Sequence, residues 1–289
     1  MARTDGANHK PGTACLTLDV EPDYARSQTL MILDRTQPFF QWVREEQVPI
    51  TTFVTGQLIE QGHPILEQLQ SAGISVELHG YSHAVSGFGT MCSSHAEEIQ
   101  RGTDAYVKRF GRVPTGYRAP SGIVSAEDVR LLDRLGYLYD SSIFPVRRPG
   151  RYDFTGLPNR PFRWEGLRLT EFPVALLTSR VPAGLTFTNL LGPRLSAIAL
   201  ARSAPVPPAP VVIDGHFHNM FTEAQALRTL PWRLRVVYSL GRWSGGLSSL
   251  RSLIENMRRR GFIFESLTQT AQGIASGQLP AVSMSVFEA

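Results

Sequence analysis

Three carboxylates fall close together in the stretch TLDVEPDY: Asp19, Glu21 and Asp23. They follow an apolar, β-branched run. Further along, HGYSH holds His79 and His83, YRAPSG holds Arg118, YDSSI holds Asp140, and DGHFHNMF holds Asp214, His216 and His218. Each group alone has an ordinary explanation. The acids could be a solvated turn, the His79 and His83 pair two surface histidines, Arg118 a capping arginine, and His216 and His218 a strand with one buried ring. Order and position raise the joint weight, because each group comes just after a strand-like segment. Two imidazoles and one carboxylate form a catalytic-type ligand set for Zn²⁺ or a similar divalent ion, with room left for water and substrate. A second carboxylate can then serve as general base toward that water. An arginine can orient that base, and another histidine can act as general acid toward a leaving amine. The chemistry is metal-assisted hydrolysis of an amide or ester.

The elements that must position these groups alternate along the chain. ACLTLDV, PITTFVTG, ISVELHG, PTGYRAP, YLYDSSI, LRLTEFPV, PVVIDGHFH and FIFESL read as strands. Between several of them lie amphipathic helices. Thr36 is a candidate N-cap for TQPFFQWVREEQ, Ser94 and Glu97 form a capping box, and Ser125 and Gly136 bracket SAEDVRLLDRLG. Strands separated by helices mean βαβ units and a parallel sheet. About eight strands in 289 residues suit a closed α/β barrel, whose functional groups lie at the C-terminal strand ends. No composition break divides the chain. We expect one catalytic domain over 1–289, with a core at about 14–267, flexible tails at 1–12 and 280–289, and a long loop at 145–166.

Composition narrows the classes. With 42% hydrophobic and 19% charged residues the chain is globular. The formal net charge of +4 comes almost wholly from arginine, and no nucleic-acid motif accompanies it, so no nucleic-acid partner is expected. Cys15 and Cys92 make no disulfide framework or C-x-x-C pair. The N-terminus shows no secretory h-region and no long apolar run follows, which gives the expectation of a cytoplasmic protein. The segment 227–243 mixes Arg228, Arg233, Arg235 and Arg242 with Trp232, Leu234, Val236 and Trp243. It reads as an outer barrel helix or lid, or as a peripheral contact with an anionic membrane.

Taken in order, these motifs resemble the polysaccharide deacetylases with the NodB-homology domain, also called carbohydrate esterase family four. TLDVEPD looks like the first motif of that family, HGYSH the second, RAP the third and GHFHNMF the last; YDSSIFP resembles a segment between them. The likeness spans roughly Ala14 to Leu267. It implies a distorted (β/α) barrel of about seven to eight parallel strands, with a divalent metal, Zn²⁺ preferred. It also implies Asp19 as general base, His79 and His83 as metal ligands, Arg118 orienting Asp19, and His218 as general acid. The backbone N–H of Ser121 would help stabilise a tetrahedral oxyanion.

The commoner first motif is Thr-Phe-Asp-Asp-Gly, and here Val20 stands where the second aspartate would be. Side chains alternate along a strand, so Asp19 and Glu21 share a face while Val20 turns into the packing. Pro22 biases Glu21 toward an extended backbone. Glu21 is therefore the favoured third ligand, with Asp23 as the alternative. His216 is left as a substrate or supporting contact, and Asp140 or Asp214 as partners for the catalytic histidine. Glu171 either lines the pocket or pairs with an arginine. The implied activity is removal of an N-acetyl group from an N-acetylated sugar, whether polysaccharide, lipid-linked glycan or glycoside. Two alternatives stand beside it: hydrolysis of a formyl, cyclic-amide or imide C–N bond, and a non-catalytic sugar- or metal-binding barrel.

Overall fold

The computed structural model describes residues 12–25, 29–83, 94–204, 209–243, 245–274 and 279–287. Cys92 and most of the expected N-terminal tail lie outside these residues. The first strand, β1 (Thr13–Val20), is buried from Ala14 onward. A parallel strand covered on both faces needs such a nearly continuous apolar run. It pairs in parallel with β2 (Ile50–Val54), in register from Leu16↔Ile50 to Val20↔Val54. The parallel ladder continues through β3 (Ser75–Leu78), β4 (Gly116–Tyr117) and β5 (Tyr139–Asp140).

After a hairpin of β6 (Arg147–Arg148) and β7 (Tyr152–Asp153) come β8 (Phe162–Trp164) and β9 (Thr170–Glu171). Strand β9 is parallel to β5 and antiparallel to β8. A second hairpin, β10 (Leu176–Thr178) with β11 (Val181–Pro182), precedes β12 (Val211–Ile213), which pairs with the other edge of β1. Strand β13 (Ile263–Phe264) pairs with the first residues of β1, and β14 (Ala281–Val282) joins β8. The order β12-β1-β2-β3-β4-β5-β9 is thus a curled wall of seven parallel strands. Bridges Val174↔Val212 and Gly184↔Asp214 bring the chain after β9 back to β12. This is a distorted (β/α) barrel with helices packed outside.

Alternation along β1 decides what faces where. Leu16, Leu18 and Val20 pack outward with the helices, including Phe39, Phe40 and Val43 of helix Gln37–Glu46. Cys15 points inward, with Phe53, Tyr139, Phe172, Val174 and Val212, and helix Leu267–Gly273 adds Leu267 and Ala271 below. This inner cluster plugs the barrel under its C-terminal mouth. Burial pushes the Cys15 thiol up to about 12, so it packs as a small apolar side chain there rather than as a nucleophile.

Three elements differ from the sequence reading. Thr36 does stand at the N-cap position, but its hydroxyl donates to Leu33 O, so it closes a 3₁₀ turn and gives the next helix no side-chain cap. The stretch 145–166 is not a bare loop, since it contains β6, β7 and β8. The C-terminal segment is anchored through Phe287, whose ring meets Phe154 and Trp164 while β14 lengthens the sheet. Burial of those aromatics outweighs the cost of ordering a few residues. No helix among the described residues is long and apolar enough to cross a membrane.

Helix His95–Phe110 presses a glycine against the loop after β3. A Cβ on Gly102 would stand 2.9 Å from Gly80 O, and one on Gly56 would stand 2.8 Å from Gly102 Cα. Backbone cannot yield as a flexible side-chain tip can. Gly102→Ala is therefore expected to destabilise by about 1–3 kcal/mol through overpacking, read as a lowered urea midpoint with an unchanged m-value.

Candidate active site

The strand ladder runs on past the end of each strand and so fixes the first residues of the mouth. His79 N donates to Val54 O at 2.9 Å, Arg118 N to Leu78 O at 3.0 Å, and Asp19 N to Gly215 O at 2.8 Å. Asp19 also forms a parallel bridge with His216. Five of the residues singled out in the sequence are thereby held by backbone before any side chain acts: Asp19, His79, Arg118, Asp214 and His216.

The side chains converge. Glu21, His79 and His83 place three ligand-type atoms within 4.8 Å of one another, all on buried residues. His83 Nε2 lies 2.7 Å and His79 Nε2 3.4 Å from Glu21 Oε2. Despite this closeness, both Glu21 oxygens and His79 Nε2 are buried without a hydrogen bond of acceptable geometry. Buried polar atoms are normally satisfied. A converging carboxylate and two imidazoles, with the Glu21 oxygens and His79 Nε2 unsatisfied, are what a cation site requires. The other nitrogen of His79, Nδ1, is 2.9 Å from Arg118 O, which fixes the ring with Nε2 inward. Burial disfavours the charged carboxylate of Glu21, yet His83, His216 and His79 prevail and hold it well below the usual carboxylate range.

Beside this trio lies Asp19, 5% exposed. Arg118 Nη1 donates to its Oδ1 at 3.0 Å and to Asp214 Oδ1 at 3.1 Å. The other oxygen, Oδ2, is 3.7 Å from His79 Nε2 and 3.6 Å from His216 Nε2. Arg118 spends its remaining donors on Ser141, through Nε to the carbonyl and Nη2 to the hydroxyl. Ser121 lines the same cleft with a left-handed backbone at φ +60°.

Two assignments left open by sequence are resolved by geometry. Asp23 accepts from Thr29 Oγ1, Met31 N and Ile32 N, so its carboxylate pins the following loop while Glu21 faces the histidines. Asp140 accepts from Ser141 N and Ser142 Oγ and lies in register with Glu171, away from either histidine of DGHFHNMF.

The two late histidines also divide. His216 Nε2 reaches Glu21 Oε1 at 3.4 Å as well as Asp19. His218 stacks on the His216 ring with centroids 4.5 Å apart and meets Tyr24 and Tyr238. Burial and the neighbouring His216 drive the His218 pKa well below its usual value, so it is a neutral ring in an aromatic wall. The cause is local: a 3₁₀ turn over Phe217–Asn219 begins right after His216 and breaks strand alternation.

Sequence reasoning missed Glu98. This buried glutamate on helix His95–Phe110 accepts from Tyr81 N, Ser82 N and the Ser82 hydroxyl, and so holds the turn that carries His83. His83 itself has φ +60°, a conformation disfavoured for a residue with a Cβ. Read along the helix, Glu98 looks like one more polar residue. Its burial shows only in three dimensions.

Residues 6–139 match the family model for polysaccharide deacetylase. The fold is similar to that of a Mycobacterium smegmatis protein assigned to the polysaccharide deacetylases, at 20% identity over 97% of this chain and 95% of that one, with a TM-score of 0.61. It is also similar to a Pseudomonas aeruginosa PAO1 protein assigned likewise, at 12% identity over 90% of each chain, with a TM-score of 0.59. No curated protein sequence matches the chain. The family match covers Asp19, Glu21, His79, His83, Arg118 and Ser121, whereas Asp214, His216 and His218 lie beyond it and reach the same cleft through the pairing of β12 with β1.

Below the mouth, Glu171 and Asp140 are fully buried side by side. Burial and the adjacent Asp140 raise the Glu171 pKa well above its usual value, and burial raises Asp140 to about 6. A carboxyl whose folded pKa is raised contributes its full stability below the unfolded pKa and loses it as pH rises through the folded value. Glu171→Gln supplies an amide donor to Asp140 without needing a proton. The variant is expected to gain stability over wild type between pH 5 and pH 8, the gap widening with pH. Urea midpoints at those two values test it, and a constant gap would contradict the shared proton.

Proposed function

We propose that the chain is a metal-dependent hydrolase that removes the N-acetyl group from an N-acetylated sugar. The observation that carries this reading is the trio Glu21, His79 and His83, whose buried ligand-type atoms converge beside the Arg118-bound carboxylate of Asp19, with both Glu21 oxygens and His79 Nε2 left without a hydrogen bond. Two imidazoles and a carboxylate suit zinc and leave coordination positions open. A cation bound there would polarise the acetyl carbonyl and lower the pKa of the attacking water.

The chain's own residues do the rest. Asp19, aligned by Arg118, accepts the proton of the attacking water at Oδ2, the oxygen that Arg118 leaves free. The backbone N–H of Ser121 lies on the cleft wall as a donor toward the developing oxyanion. A histidine then delivers a proton to the departing sugar amine. His218 holds that role in the sequence expectation. The distances favour His216, because its Nε2 faces Asp19 and Glu21 while His218 stands behind it. Asp214 and Asp19, both on Arg118, keep the two sides of the mouth in register.

The substrate class rests on the family match, and the metal on the donor set. Loss of a general base lowers turnover by about 100-fold or more. Asp19→Asn is expected to show that loss in acetate release from N-acetylglucosamine oligomers while retaining bound zinc. His83→Ala should lose both zinc and turnover. His216→Ala should fall further in kcat than His218→Ala; the reverse order would return the acid's role to His218. Release of formate or opening of cyclic amides without acetate release would replace the acetyl reading by the other C–N hydrolysis. A wild-type protein that binds zinc and hydrolyses none of these compounds would be a binding barrel.

A further inference from the structure

The cleft above this floor measures about 450 Å³. Its carboxylates, Asp19, Glu21 and Asp214, all lie at the bottom, and Arg118 or the histidines already engage each of them. The outer wall is different. Arg147, Arg148 and Arg151 reach it from the β6–β7 hairpin, and Arg180 from the tip of the β10–β11 hairpin. Among the described residues neither Arg148 nor Arg180 has a carboxylate within 4.0 Å, and Arg147 meets only the exposed Asp153, at 3.6 Å.

The rim is fixed to the floor. Arg148 Nη1 donates to Ser121 O at 3.3 Å and also bonds the Tyr152 hydroxyl. The guanidinium is therefore tethered by neutral oxygens, which leave its charge uncompensated. The Arg148 and Arg180 guanidinium groups on one opening repel each other, and a neutral sugar would do nothing to relieve that. Planar guanidinium forks match the geometry of phosphate and carboxylate oxygens.

We propose that this rim is a subsite for an oxyanion, a phosphate or a carboxylate, carried by the acetylated sugar. The assignment rests on the deacetylase reading of the floor and narrows its substrate to an anionic N-acetylated sugar. Arg148 and Arg180 bind the anion, while Arg147 and Arg151 add attraction at longer range.

The test compares three compounds on the zinc-loaded full chain: N-acetylglucosamine 1-phosphate, N-acetylmuramic acid and neutral methyl N-acetylglucosaminide. An anionic compound is expected to exceed the neutral one in kcat/KM by about tenfold at low salt. The advantage should shrink in 0.5 M NaCl, where the Debye length is only about 4 Å. Whichever anion leads, phosphate or carboxylate, identifies the group. The double variant Arg148→Gln, Arg180→Gln should bring the ratio toward one, which separates the rim from an anion simply reaching the metal. A wild-type ratio of one or less overturns the proposal, as does a ratio that the double variant leaves intact. If none of the three releases acetate, N-acetylglucosamine oligomers decide the deacetylase reading, and calorimetric binding of the same three compounds judges the rim alone. Tighter binding of an anion that the double variant abolishes sustains the subsite, and equal binding of all three removes it.

Discussion

Arg118 places a full positive charge, 1% exposed, in the middle of the barrel mouth. Taking a guanidinium out of water costs several kcal/mol, and only well-placed partners offset it. Those partners come from three different elements: Asp19 at the end of β1, Asp214 after β12, and Ser141 after β5. The Phe53 ring closes the underside, 4.4 Å from the guanidinium carbon. The net contribution of this arrangement to stability is small, because an apolar plug of similar volume serves folding about as well. What it does enforce is geometry. Any shift of β1 against β12 would strand a buried charge, so the mouth is held at one registration.

That constraint spreads outward. The Arg118 carbonyl holds Nδ1 of His79, which turns Nε2 toward Glu21. One residue thus orients both the carboxylate of Asp19 and a histidine of the metal-type trio. His83 depends instead on Glu98 and on the close glycine contact between Gly102 and Gly80. The site accordingly has a rigid half built on strand ends and a half built on a turn that a helix must support. Local strain belongs to the second half, where His83 has positive φ. Ser121, on the loop after β4, shares that backbone conformation.

Much of this was legible in the chain. The apolar run of β1, the capping boxes and the helical spacings led directly to a parallel α/β barrel, and the polar residues after each strand marked its active face. Alternation along one strand was enough to choose Glu21 over Val20, because the period of two does not depend on what surrounds the strand. The same rule failed at DGHFHNMF. There the strand ends at Ile213, Asp214 and His216 keep isolated bridges, and a 3₁₀ turn follows, so His216 and His218 part company. The turn also seats Phe217 against Phe39 and Phe40, residues that a reading of the strand alone does not include.

The sequence by itself determined which chemical groups are available and which strand end each would occupy, because side-chain type and backbone periodicity are local properties. Tertiary structure decided which of those groups meet. It turned Asp23 into a loop anchor, paired Asp140 with Glu171, set His216 toward Asp19 with His218 stacked behind, and gathered arginines from two hairpins around one opening. The Asp140–Glu171 pair, the approach of His216 to Asp19 and the joined hairpins depend on contacts between residues tens to nearly two hundred positions apart. They are settled by burial and charge pairing, which no short window of sequence contains.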